Sequence, residues 1–583
     1  MANYRLSNKE VVALLKEMLA AMDVKNYNVF RVRAYQNAIA ILDNLTVSIY
    51  DLWENKKLGE IPGIGANLQQ HLNELFTTGR VKEFEEAQEG LPQGMFSLIG
   101  LRGIGARKAF KLALAFKLTS RDTAIEKLKQ HAQKGDIQPL EGFGEKSEKD
   151  ILEAVEQSKL TKNEKKRMLL IKAEEVVARI VNYMQQLKCI VRIEAAGSFR
   201  RRNATVGDLD FPIATMDPKQ TLAHFAKFPE IAETLVVGDK KTSVVLTNEM
   251  QVDVRVSEPK AYGAMLQYFT GSKQHNILLR NYALNKKMSL SEYGIKQGDN
   301  LLEFADEEGF YKHLGLPYIQ PELRSGHGEI EAAHKGKLPN LIELKDIKGD
   351  IHTHTTDSDG SATLEEMVEV AAELGYAYIG ISDHAPSVQS RGYGTVARII
   401  QQKRQAIDAI NNSQNKIKVL FGYEVNILAD ATMGLPDDLL QQLDYAIGGI
   451  HTSFEQERDM VTKRLLCALE NPYINIVAHP SGRLINKRDP IDPDWNKIFE
   501  AARTHGKILE IDSQPDRLDL PDDLVKEAIE WGVKLILTSD AHAPDQLQFV
   551  RCGIDNARRG WAEKKDVINT LPYNEFVKAL GKR

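Results

Sequence analysis

The chain has 583 residues, of which 43% are hydrophobic and 27% charged, and its formal net charge is −5. A chain of this length is too long to fold around a single hydrophobic core, so we expect several domains. No apolar run approaches the ~18 residues of a membrane-spanning helix, and the first residues lack the apolar stretch of a secretory signal. The cysteines, Cys189, Cys467 and Cys552, are scattered and suit a reducing compartment. We therefore expect a cytoplasmic protein without membrane association.

Residues 1 to about 155 read as helices joined by glycine turns, and one turn pattern occurs three times: "IPGIGANLQQHL", "LRGIGARKAFKL" and "LEGFGEKSEKDI". A single Gly-x-Gly is often only a tight connection between helices. Three copies, each opening an amphipathic helix, predict main-chain N–H groups that bind DNA phosphates without reading sequence. Because backbone amides and helix dipoles supply this contact, the negative net charge does not argue against it. The glycines concerned are Gly63, Gly65, Gly103, Gly105, Gly142 and Gly144.

The middle of the chain carries a pair of aspartates in "GDLDFPIAT". Asp208 and Asp210 are two apart on a predicted strand, so they share one face with Cα atoms roughly 7 Å apart. Such a pair is common on solvated strands, but "MQVDVRVSE" is a second alternating strand that adds Asp253 if the strands are neighbours. Three carboxylates match a two-magnesium site for phosphoryl transfer. Just upstream, Ser198 and the arginines 200–202 offer donors for phosphate oxygens.

Beyond residue 345, apolar β-rich runs alternate with helical ones, which predicts a parallel sheet closed as a barrel of seven or eight βα units. Seven of the 14 histidines lie here, and six of them end an apolar run, His505 being the exception. The strand ends of such a barrel converge on one rim. Six histidines with Asp359, Glu424 and Asp540 form an N/O set suited to zinc, manganese or iron. Nine ligands imply two or three ions, and phosphoester hydrolysis is the natural chemistry.

These motifs carry two family resemblances. "HTHTTDSDG", "SDHA", "GYEVN", "GGIHTS", "VAHPSG" and "TSDAHAP" are similar to the motifs of the polymerase and histidinol phosphatase (PHP) superfamily, over about residues 346–575. "GSFRR", "GDLD", "VDVRV" and "YFTGSKQHNILLRNYAL" resemble family X DNA polymerases, over residues 1 to about 320. Together they resemble the bacterial and archaeal type that fuses this polymerase to a PHP barrel. The implied fold is multidomain: an all-α helix-hairpin-helix region, an α+β nucleotidyltransferase palm with a thumb-like subdomain, and a (β/α)7-type PHP barrel.

The resemblance assigns roles to individual residues. The catalytic magnesium ions of the palm would be bound by Asp208, Asp210 and Asp253. The triphosphate would contact Arg167, Ser198, Arg201 and Gly207. Tyr268, Phe269 and Gly271 would line the sugar pocket, Asn276 would face the base edge, and Arg280 the template strand. The hairpin glycines would bind the DNA backbone. The barrel ions, two or three of manganese, zinc or iron, would be bound by His352, His354, Asp359, His384, Glu424, His451, His479, Asp540 and His542.

One position departs from the family pattern. In relatives with lyase activity, the helix after the first glycine turn carries a lysine that forms a Schiff base with an abasic sugar, and that place falls on His71 here. An imidazole does not form this imine. We therefore do not expect removal of 5′-deoxyribose phosphate, whereas binding of a 5′-phosphate by the helical domain is retained as an expectation.

The leading interpretation is a monomeric DNA polymerase that takes dNTPs, fills short gaps in base excision repair and acts on gapped or primer-template DNA. Its PHP barrel would supply 3′-5′ exonuclease, AP-endonuclease or 3′-phosphoesterase activity. Two alternatives stay open: a phosphoesterase whose polymerase half is a DNA-binding arm, and a barrel that is a metal-stabilised scaffold. The polymerase half is expected to comprise a helical domain (1–85), a helical DNA-binding subdomain (86–158), a palm (159–258) and a thumb-like subdomain (259–323). A linker (324–345) and the PHP domain (346–583) are expected to follow.

Overall fold

The computed structural model describes residues 6, 8–42, 49–54, 56–61, 63–99, 101, 104–144, 147–149, 151–152, 155, 167–413 and 416–581. Two predicted features lie outside these residues: Gly103 and the domain boundary at 158/159. The basic run that begins at Lys159 is described only from Arg167 onward. The chain divides into two compact units, Met1–Lys166 and Arg167–Arg583. None of the described helices is both long and apolar enough to cross a membrane.

The first unit is helical throughout its described part. Its helices pack around a core in which Met18, Phe76 and Leu112 are inaccessible to solvent. Gly79 and Gly135 adopt left-handed conformations that end two of the helices, which is the usual role of glycine at a helix C-terminus. The helices are Asn8–Val24, Val29–Leu42, Ile49–Glu54, Ala66–Thr78, Lys82–Gln88, Gly94–Leu98, Ala106–Ala115 and Arg121–Lys134, with a 3₁₀ turn at Leu58–Glu60.

The second unit begins with an α+β palm. Its strands are β1 Met168–Leu169, β2 Ile190–Ile193, β3 Thr205–Val206, β4 Asp208–Thr215, β5 Ile231–Val237, β6 Lys241–Leu246 and β7 Gln251–Ser257. Five of them form one sheet in the order β2-β4-β7-β6-β5, while β1 pairs with β3. The apolar face, which includes Phe211, Val252 and Val254, packs with Ile180 of the helix Leu170–Met184. The opposite face carries the polar residues of β4 and β7. Two more helices are Gly197–Arg200 and Pro218–Phe225.

A smaller α+β subdomain follows the palm. It contains the helices Tyr262–Thr270, Lys273–Leu284, Glu307–His313 and Glu329–His334 and an antiparallel sheet of β8 Met288–Ser291, β9 Gly294–Gln297 and β10 Asn300–Leu302. The segment 324–345, for which the sequence predicts a linker, begins with the fully buried Arg324. Its side chain binds Glu307. This segment is therefore packed against the subdomain.

The C-terminal domain is a parallel barrel of seven strands. They follow one another in chain order as β11 Gly349–Asp350, β12 Tyr378–Ile381, β13 Lys418–Asn426, β14 Tyr445–Gly449, β15 Ile476–Val477, β16 Ile508–Asp512 and β17 Lys534–Thr538. A parallel bridge between Thr353 and Ala541 joins the regions that follow β11 and β17. The outer helices are Leu364–Glu373, Val388–Arg391, Tyr393–Ser413, Asp437–Leu440, Arg458–Glu470, Trp495–Thr504, Asp522–Glu530, Val550–Arg559 and Tyr573–Ala579. The predicted fold class is confirmed, with seven strands.

Candidate active sites

The palm carboxylates come together on two adjacent parallel strands. β4 pairs with β7 so that Asp210 lies directly opposite Asp253, while Asp208 precedes Asp210 on the same face. Lys241 of β6 forms an ion pair with Asp253, with 2.8 Å between Nζ and Oδ2. The main-chain N–H of Ala196 donates to the carbonyl of Asp210, which places the following turn beside the carboxylates. A side chain at Gly197 would come within 3.2 Å of Asp210 Oδ2, so this close approach requires glycine.

The protonation of these carboxylates reflects their crowding. Burial, followed by the charges of Asp208 and Asp253, raises the pKa of Asp210 to about 6. Burial alone would also raise the pKa of Asp253, but hydrogen bonds from Lys241 and Ser243 hold it below the ordinary value. Three carboxylates that repel one another at one end of two strands form a set of oxygen ligands that fits divalent cations such as magnesium. The residues present therefore fit the predicted metal site.

The arginines predicted to hold a triphosphate surround Gly207, next to the carboxylates. Arg167 donates from Nε to Thr205 Oγ1 (2.9 Å) and from Nη2 to the Thr205 carbonyl (3.0 Å). Its Nη1 would lie 2.6 Å from a Cβ at Gly207, so a side chain there would displace this guanidinium from its position. Arg201 donates to the carbonyl of Thr270 at 2.5 Å. Ser198 has a buried hydroxyl without a hydrogen-bond partner in the described part of the chain.

Arg201 is electrostatically unusual. Burial and the nearby guanidinium groups of Arg559, Arg324 and Arg167 lower its pKa to about 9, against an opposite contribution from Asp208. Among the described residues, no carboxylate lies within ion-pair distance of Arg201. A half-buried arginine among other arginines is stabilised when an anion binds. This arrangement can accept a polyphosphate.

The residues predicted to surround the sugar and base lie around the next turn. Tyr268 and Phe269 contact each other edge to face, with ring centroids 5.1 Å apart. A Cβ at Gly271 would be 3.3 Å from Arg201 Nη1. Asn276 uses its amide within the protein, since Nδ2 donates to the Tyr268 carbonyl and Oδ1 accepts from Gln267. It therefore fixes the position of Tyr268. Arg280, one turn further along the same helix, is exposed.

In the first unit, the described hairpin glycines precede helices as predicted from the sequence. Gly65 and Gly105 are the N-caps of Ala66–Thr78 and Ala106–Ala115, and a Cβ at either glycine would meet nothing within 4 Å. Their surroundings leave room for a phosphate at the helix N-terminus. Gly63 and Gly142 adopt positive φ angles of 91° and 86°, and Gly144 follows in the third turn.

A surface pocket of about 1300 Å³ adjoins the first glycine turn and contains His71. The His71 ring lies 2.8 Å from the Tyr35 hydroxyl through Nδ1 and 2.8 Å from Glu83 through Nε2. Burial, assisted by the charge of Arg31, lowers the pKa of His71. This side chain is thus a neutral, hydrogen-bonded imidazole with no amine to offer.

At the rim of the barrel, all nine predicted ligands converge on one pocket, with Glu424 at its centre. The Nε2 atoms of His451 and His479 each lie 2.8 Å from Glu424 Oε1. The second carboxylate oxygen lies 3.1 Å from His384 Nδ1. It also lies 3.4 and 3.6 Å from the Nε2 atoms of His352 and His354. Asp540 Oδ1 is 3.4 Å from His352 Nε2 and 3.1 Å from His354 Nε2.

The outer part of the pocket opens to solvent. Asp359, half exposed, lies 3.4 Å from His384 Nε2, 3.3 Å from His542 Nε2 and 3.4 Å from His354 Nδ1. Ligand atoms within 4.8 Å of one another form three overlapping groups, which share His354, His384 and Glu424 between them. Overlapping groups of this kind suit two or three ions with shared ligands.

The donor atoms of the pocket fit metal ions better than protons. His352 Nε2, His354 Nε2, His451 Nδ1 and His479 Nδ1 are buried without hydrogen-bond partners among the described residues. Burial favours neutral rings, but Glu510, Asp540 and Glu424 raise the pKa of His352 well above its ordinary value. Conversely, the imidazoles hold the pKa of Glu424 well below its usual range in spite of burial. Such mixed imidazole and carboxylate sets are typical ligands of zinc, manganese or iron.

Three supporting features were missed in the sequence. Glu510 accepts from His352 Nδ1 (2.5 Å), from Thr538 Oγ1 (2.7 Å) and from the His479 N–H (2.6 Å), so it orients two ligands. Its signal was a glutamate inside the apolar run "KILEIDS". The second feature is Gly449: a Cβ at this position would lie 2.8 Å from Glu424 Oε1, so a side chain here would displace that carboxylate.

The third feature is a buried ion pair beneath the loop of the first two histidines. Asp383, which follows β12, binds Lys403 and accepts from Ser358 Oγ and the Thr355 N–H, each at 2.6 Å. Lys403 is almost inaccessible to solvent and also reaches Asp357 at 2.8 Å. Asp383 therefore anchors the loop that carries His354 and Asp359, and no sequence signal set Lys403 apart from an ordinary solvated lysine on a helix.

The palm, in which three carboxylates lie beside arginines that have no carboxylate partner in the described part of the chain, and the barrel, with its histidine-rich pocket, define a multidomain enzyme of metal-dependent phosphoryl transfer. Family models agree with this division: a helix-hairpin-helix domain matches residues 6–81, a DNA polymerase beta thumb 265–325 and a PHP domain 350–514. The PHP match includes His352 through His479 and ends before Asp540 and His542.

Relatives are found for the whole chain and for its barrel. The chain is 35% identical over 582 residues to the DNA polymerase/3′-5′ exonuclease PolX of Bacillus subtilis (strain 168), covering 99% of this chain and 100% of that protein. A probable phosphatase of Thermoanaerobacter sp. (strain X514) is 30% identical over 208 residues, 33% of this chain and 78% of that protein. A probable phosphatase of Clostridium acetobutylicum is 27% identical over 255 residues, 40% of this chain and 95% of that protein. The chain belongs to the family X DNA polymerases that carry a C-terminal PHP domain.

Proposed function

We propose that this enzyme fills short gaps in DNA during base excision repair and that its barrel hydrolyses DNA 3′ ends. The observation that carries the first half is the set of Asp208, Asp210 and Asp253 next to Arg167 and Arg201, neither of which has a carboxylate partner among the described residues. The second half rests on the nine convergent side chains of the barrel, several of whose buried ring nitrogens have no hydrogen-bond partner in the described part of the chain. The domain division predicted from the sequence, with the palm at 159–258 and the PHP domain from 346, is part of this proposal.

In the palm, the three aspartates would hold two divalent ions, which supply charge neutralisation and Lewis acidity when bound. Arg201, Arg167 and Ser198 would bind the triphosphate, because guanidinium and hydroxyl donors match its oxygens. Tyr268 and Phe269 would contact the sugar, and Asn276 would fix Tyr268. The primer 3′ oxygen then bonds to the α-phosphorus, the bond to the β-phosphate oxygen breaks, and pyrophosphate leaves.

In the barrel, the nine ligands would hold manganese, zinc or iron. Glu424 and Asp540 are buried beside His352 and His354 and would help to hold the ions, while Asp359, His384 and His542 lie at the open side where a DNA end would enter. Arg517, whose Nε lies 3.9 Å from Asp540 Oδ2, would neutralise charge on the phosphodiester. Water adds to phosphorus and the oxygen of the neighbouring nucleotide leaves. The same chemistry would serve 3′-phosphoesterase and AP-endonuclease reactions.

In the helical domain, the pocket beside the first glycine turn would bind the 5′-phosphate of a gap. The N-terminus of Ala66–Thr78 would contact the phosphate through main-chain amides, and Arg31, which is ion-paired with Glu83 in this structure, lines the same pocket. Lyase chemistry is not part of the proposal, because His71 offers an imidazole in place of an amine.

The test separates the two sites on one substrate, a one-nucleotide gap with and without a 5′-phosphate. Asp208→Ala with Asp210→Ala should abolish incorporation in magnesium and leave 3′ hydrolysis in manganese, and His352→Ala with His354→Ala should do the reverse. Matched controls are Asp239→Ala in the palm and His505→Ala in the barrel, both exposed. If the histidine variant still hydrolyses 3′ ends, the barrel assignment is wrong. If the wild-type protein hydrolyses but never incorporates, the phosphoesterase alternative replaces the polymerase proposal.

A further inference from the structure

Within the second unit, one helix of the barrel domain faces the palm. Val550–Arg559 carries Arg551, Asp555, Arg558 and Arg559 at positions that share one side of a helix. Arg551 donates to Glu174 of the palm at 2.8 Å, and Asp555 accepts from Arg202 at 2.8 Å. Arg558 donates to Glu322 of the thumb-like subdomain at 2.8 Å. This helix therefore binds the polymerase half at several separate points.

Arg559, the last residue of this helix, contacts the turn of residues 197–203, which carries Arg201 and is called the nucleotide turn below. Its Nη1 donates to the main-chain carbonyl of Arg201 at 3.0 Å and to the side-chain oxygen of Asn203 at 2.9 Å. Its Nη2 is held by Asp522 of the barrel at 2.6 Å. The Arg559 side chain is only 11% exposed, so these bonds are well shielded from water. A rigid barrel group thus fixes the backbone from which the Arg201 guanidinium projects.

A second barrel side chain binds the main chain of Arg167, the other arginine proposed to hold the triphosphate. Asn486, in the turn that follows the ligand His479, donates from Nδ2 to the main-chain carbonyl of Arg167 at 2.7 Å. Arg167 in turn lies over Gly207, close to where the triphosphate would bind. Both arginines of the proposed pocket therefore have their carbonyl oxygens bound by side chains of the barrel domain.

We propose that the barrel domain positions the nucleotide pocket of the polymerase, with Arg559 and Asn486 as positioning residues that hold Arg201 and Arg167 in the orientation that binds dNTP. This inference rests on the proposed polymerase function. A small displacement of a charged donor weakens a multidentate phosphate contact considerably. The positive charge of Arg559 also favours an anion beside Arg201, and its proximity contributes to the lowered pKa of Arg201.

The experiment measures gap-filling kinetics of the full-length protein at varied dNTP. Arg559→Ala should raise KM for dNTP roughly tenfold, and Asn486→Ala roughly threefold, the effect of losing charged and neutral hydrogen bonds respectively. KM for gapped DNA and the manganese-dependent hydrolysis of 3′ ends should stay within about twofold of wild type, because neither is held by these contacts. Arg559→Lys keeps the charge and should recover part of the dNTP affinity.

Arg558→Ala is the matched control, since it removes bonds across the same interface to Glu322 and to the Ile342 carbonyl, away from the turn that carries Arg201. Equal rises of KM in Arg558→Ala and Arg559→Ala would overturn the proposal, because the effect would then come from a general loosening of the interface. Wild-type KM in both Arg559→Ala and Asn486→Ala would also overturn it. If Arg559→Ala misfolds and therefore loses 3′ hydrolysis, the KM of Asn486→Ala for dNTP tests the proposal instead, because Asn486 is exposed and its replacement should not disturb folding. A wild-type protein that incorporates no nucleotide would instead refute the polymerase function, and the inference with it.

Discussion

Gly449 lies against two of the predicted metal ligands of the barrel pocket and leaves no room for a side chain. Gly449, at the end of β14, faces the ring of His451 and the carboxylate of Glu424, and a Cβ there would lie 2.8 Å from an atom of each. A single methyl group therefore competes for the space of two ligands. Where packing is this close, ligands shift by several tenths of an ångström, which a metal site with fixed bond lengths does not accommodate.

We predict that Gly449→Ala abolishes metal-dependent hydrolysis of 3′ ends and lowers the bound-metal content, with nucleotide incorporation retained. Metal analysis of the purified protein and a manganese-dependent exonuclease assay check this. Gly448→Ala is the control, because its Cβ would meet the apolar side chains of Ile474, Ala468 and Ile427, at 3.3, 3.4 and 3.6 Å, and no ligand of the pocket. A fully active Gly449→Ala variant would contradict the arrangement of Glu424 and His451 described above.

Glu510 acts through the ligands that it orients. It receives the Nδ1 hydrogen of His352, which leaves Nε2 free to face the pocket. Glu510→Gln keeps the shape but replaces a charged acceptor by a neutral amide. We expect 3′ hydrolysis or metal affinity to fall about 10- to 100-fold, the usual effect of losing such a partner, without change in incorporation. Titration of activity with manganese measures this, with Glu470→Gln on the barrel surface as control; unchanged titration curves would exclude the orienting role.

At the scale of elements, the thumb-like subdomain is joined to the palm through a buried carboxylate. Glu307 binds Arg200 of the nucleotide turn (2.7 Å) and Arg324 at the end of the subdomain. Burial disfavours its charge, but the two guanidinium groups hold the pKa of Glu307 below its ordinary value of 4.5. A carboxyl with a lowered pKa stabilises the fold above its ordinary pKa and loses this contribution as the pH falls through the lowered value.

We predict that Glu307→Gln lowers the free energy of unfolding of the second unit by about 3 kcal/mol at pH 7, because two buried guanidinium groups lose their counter-charge. The difference between variant and wild type should begin to shrink as the pH falls below 4.5, the ordinary pKa of the carboxyl, and vanish once the pH has passed the lowered pKa of Glu307 in the folded protein. Urea unfolding at several pH values measures both effects. Glu308→Gln, exposed on the same helix, should match wild type; a pH-independent difference would show that the charge of Glu307 is not the cause.

Elements were predictable from the sequence where the pattern is local. The period-2 spacing of Asp208 and Asp210 predicts a shared strand face, and apolar runs that end in histidine predict one rim of a barrel. Pairing between distant segments was not predictable in the same way. The sequence alone leaves open whether Asp253 is a neighbour of Asp208 and Asp210, and the register of β4 against β7 decides it. Seven strands rather than eight, the role of Lys403 and the contact of Arg559 with Arg201 also depend on long-range packing.

At the scale of the whole molecule, the chain divides into two compact units. The described core of the first unit is formed entirely by residues before 156, and the palm, thumb-like subdomain and barrel bury separate cores after residue 167. Units with separate cores can fold independently. The second unit contains both proposed catalytic pockets, whereas the first contains the glycine turns and the pocket beside His71.

We therefore predict that a fragment of residues 167–583 folds by itself, keeps manganese-dependent 3′ hydrolysis and still extends a primer in magnesium. It should lose the preference of the full chain for a gap with a 5′-phosphate, because the helix N-termini proposed to bind that phosphate are absent. Cooperative thermal unfolding and incorporation on gaps with and without the 5′-phosphate test this, with the full-length protein on both gaps as the reference. A fragment that still discriminates between the two gaps would place 5′-phosphate recognition in the second unit, and an unfolded fragment would show that the barrel and palm require the helical unit for stability.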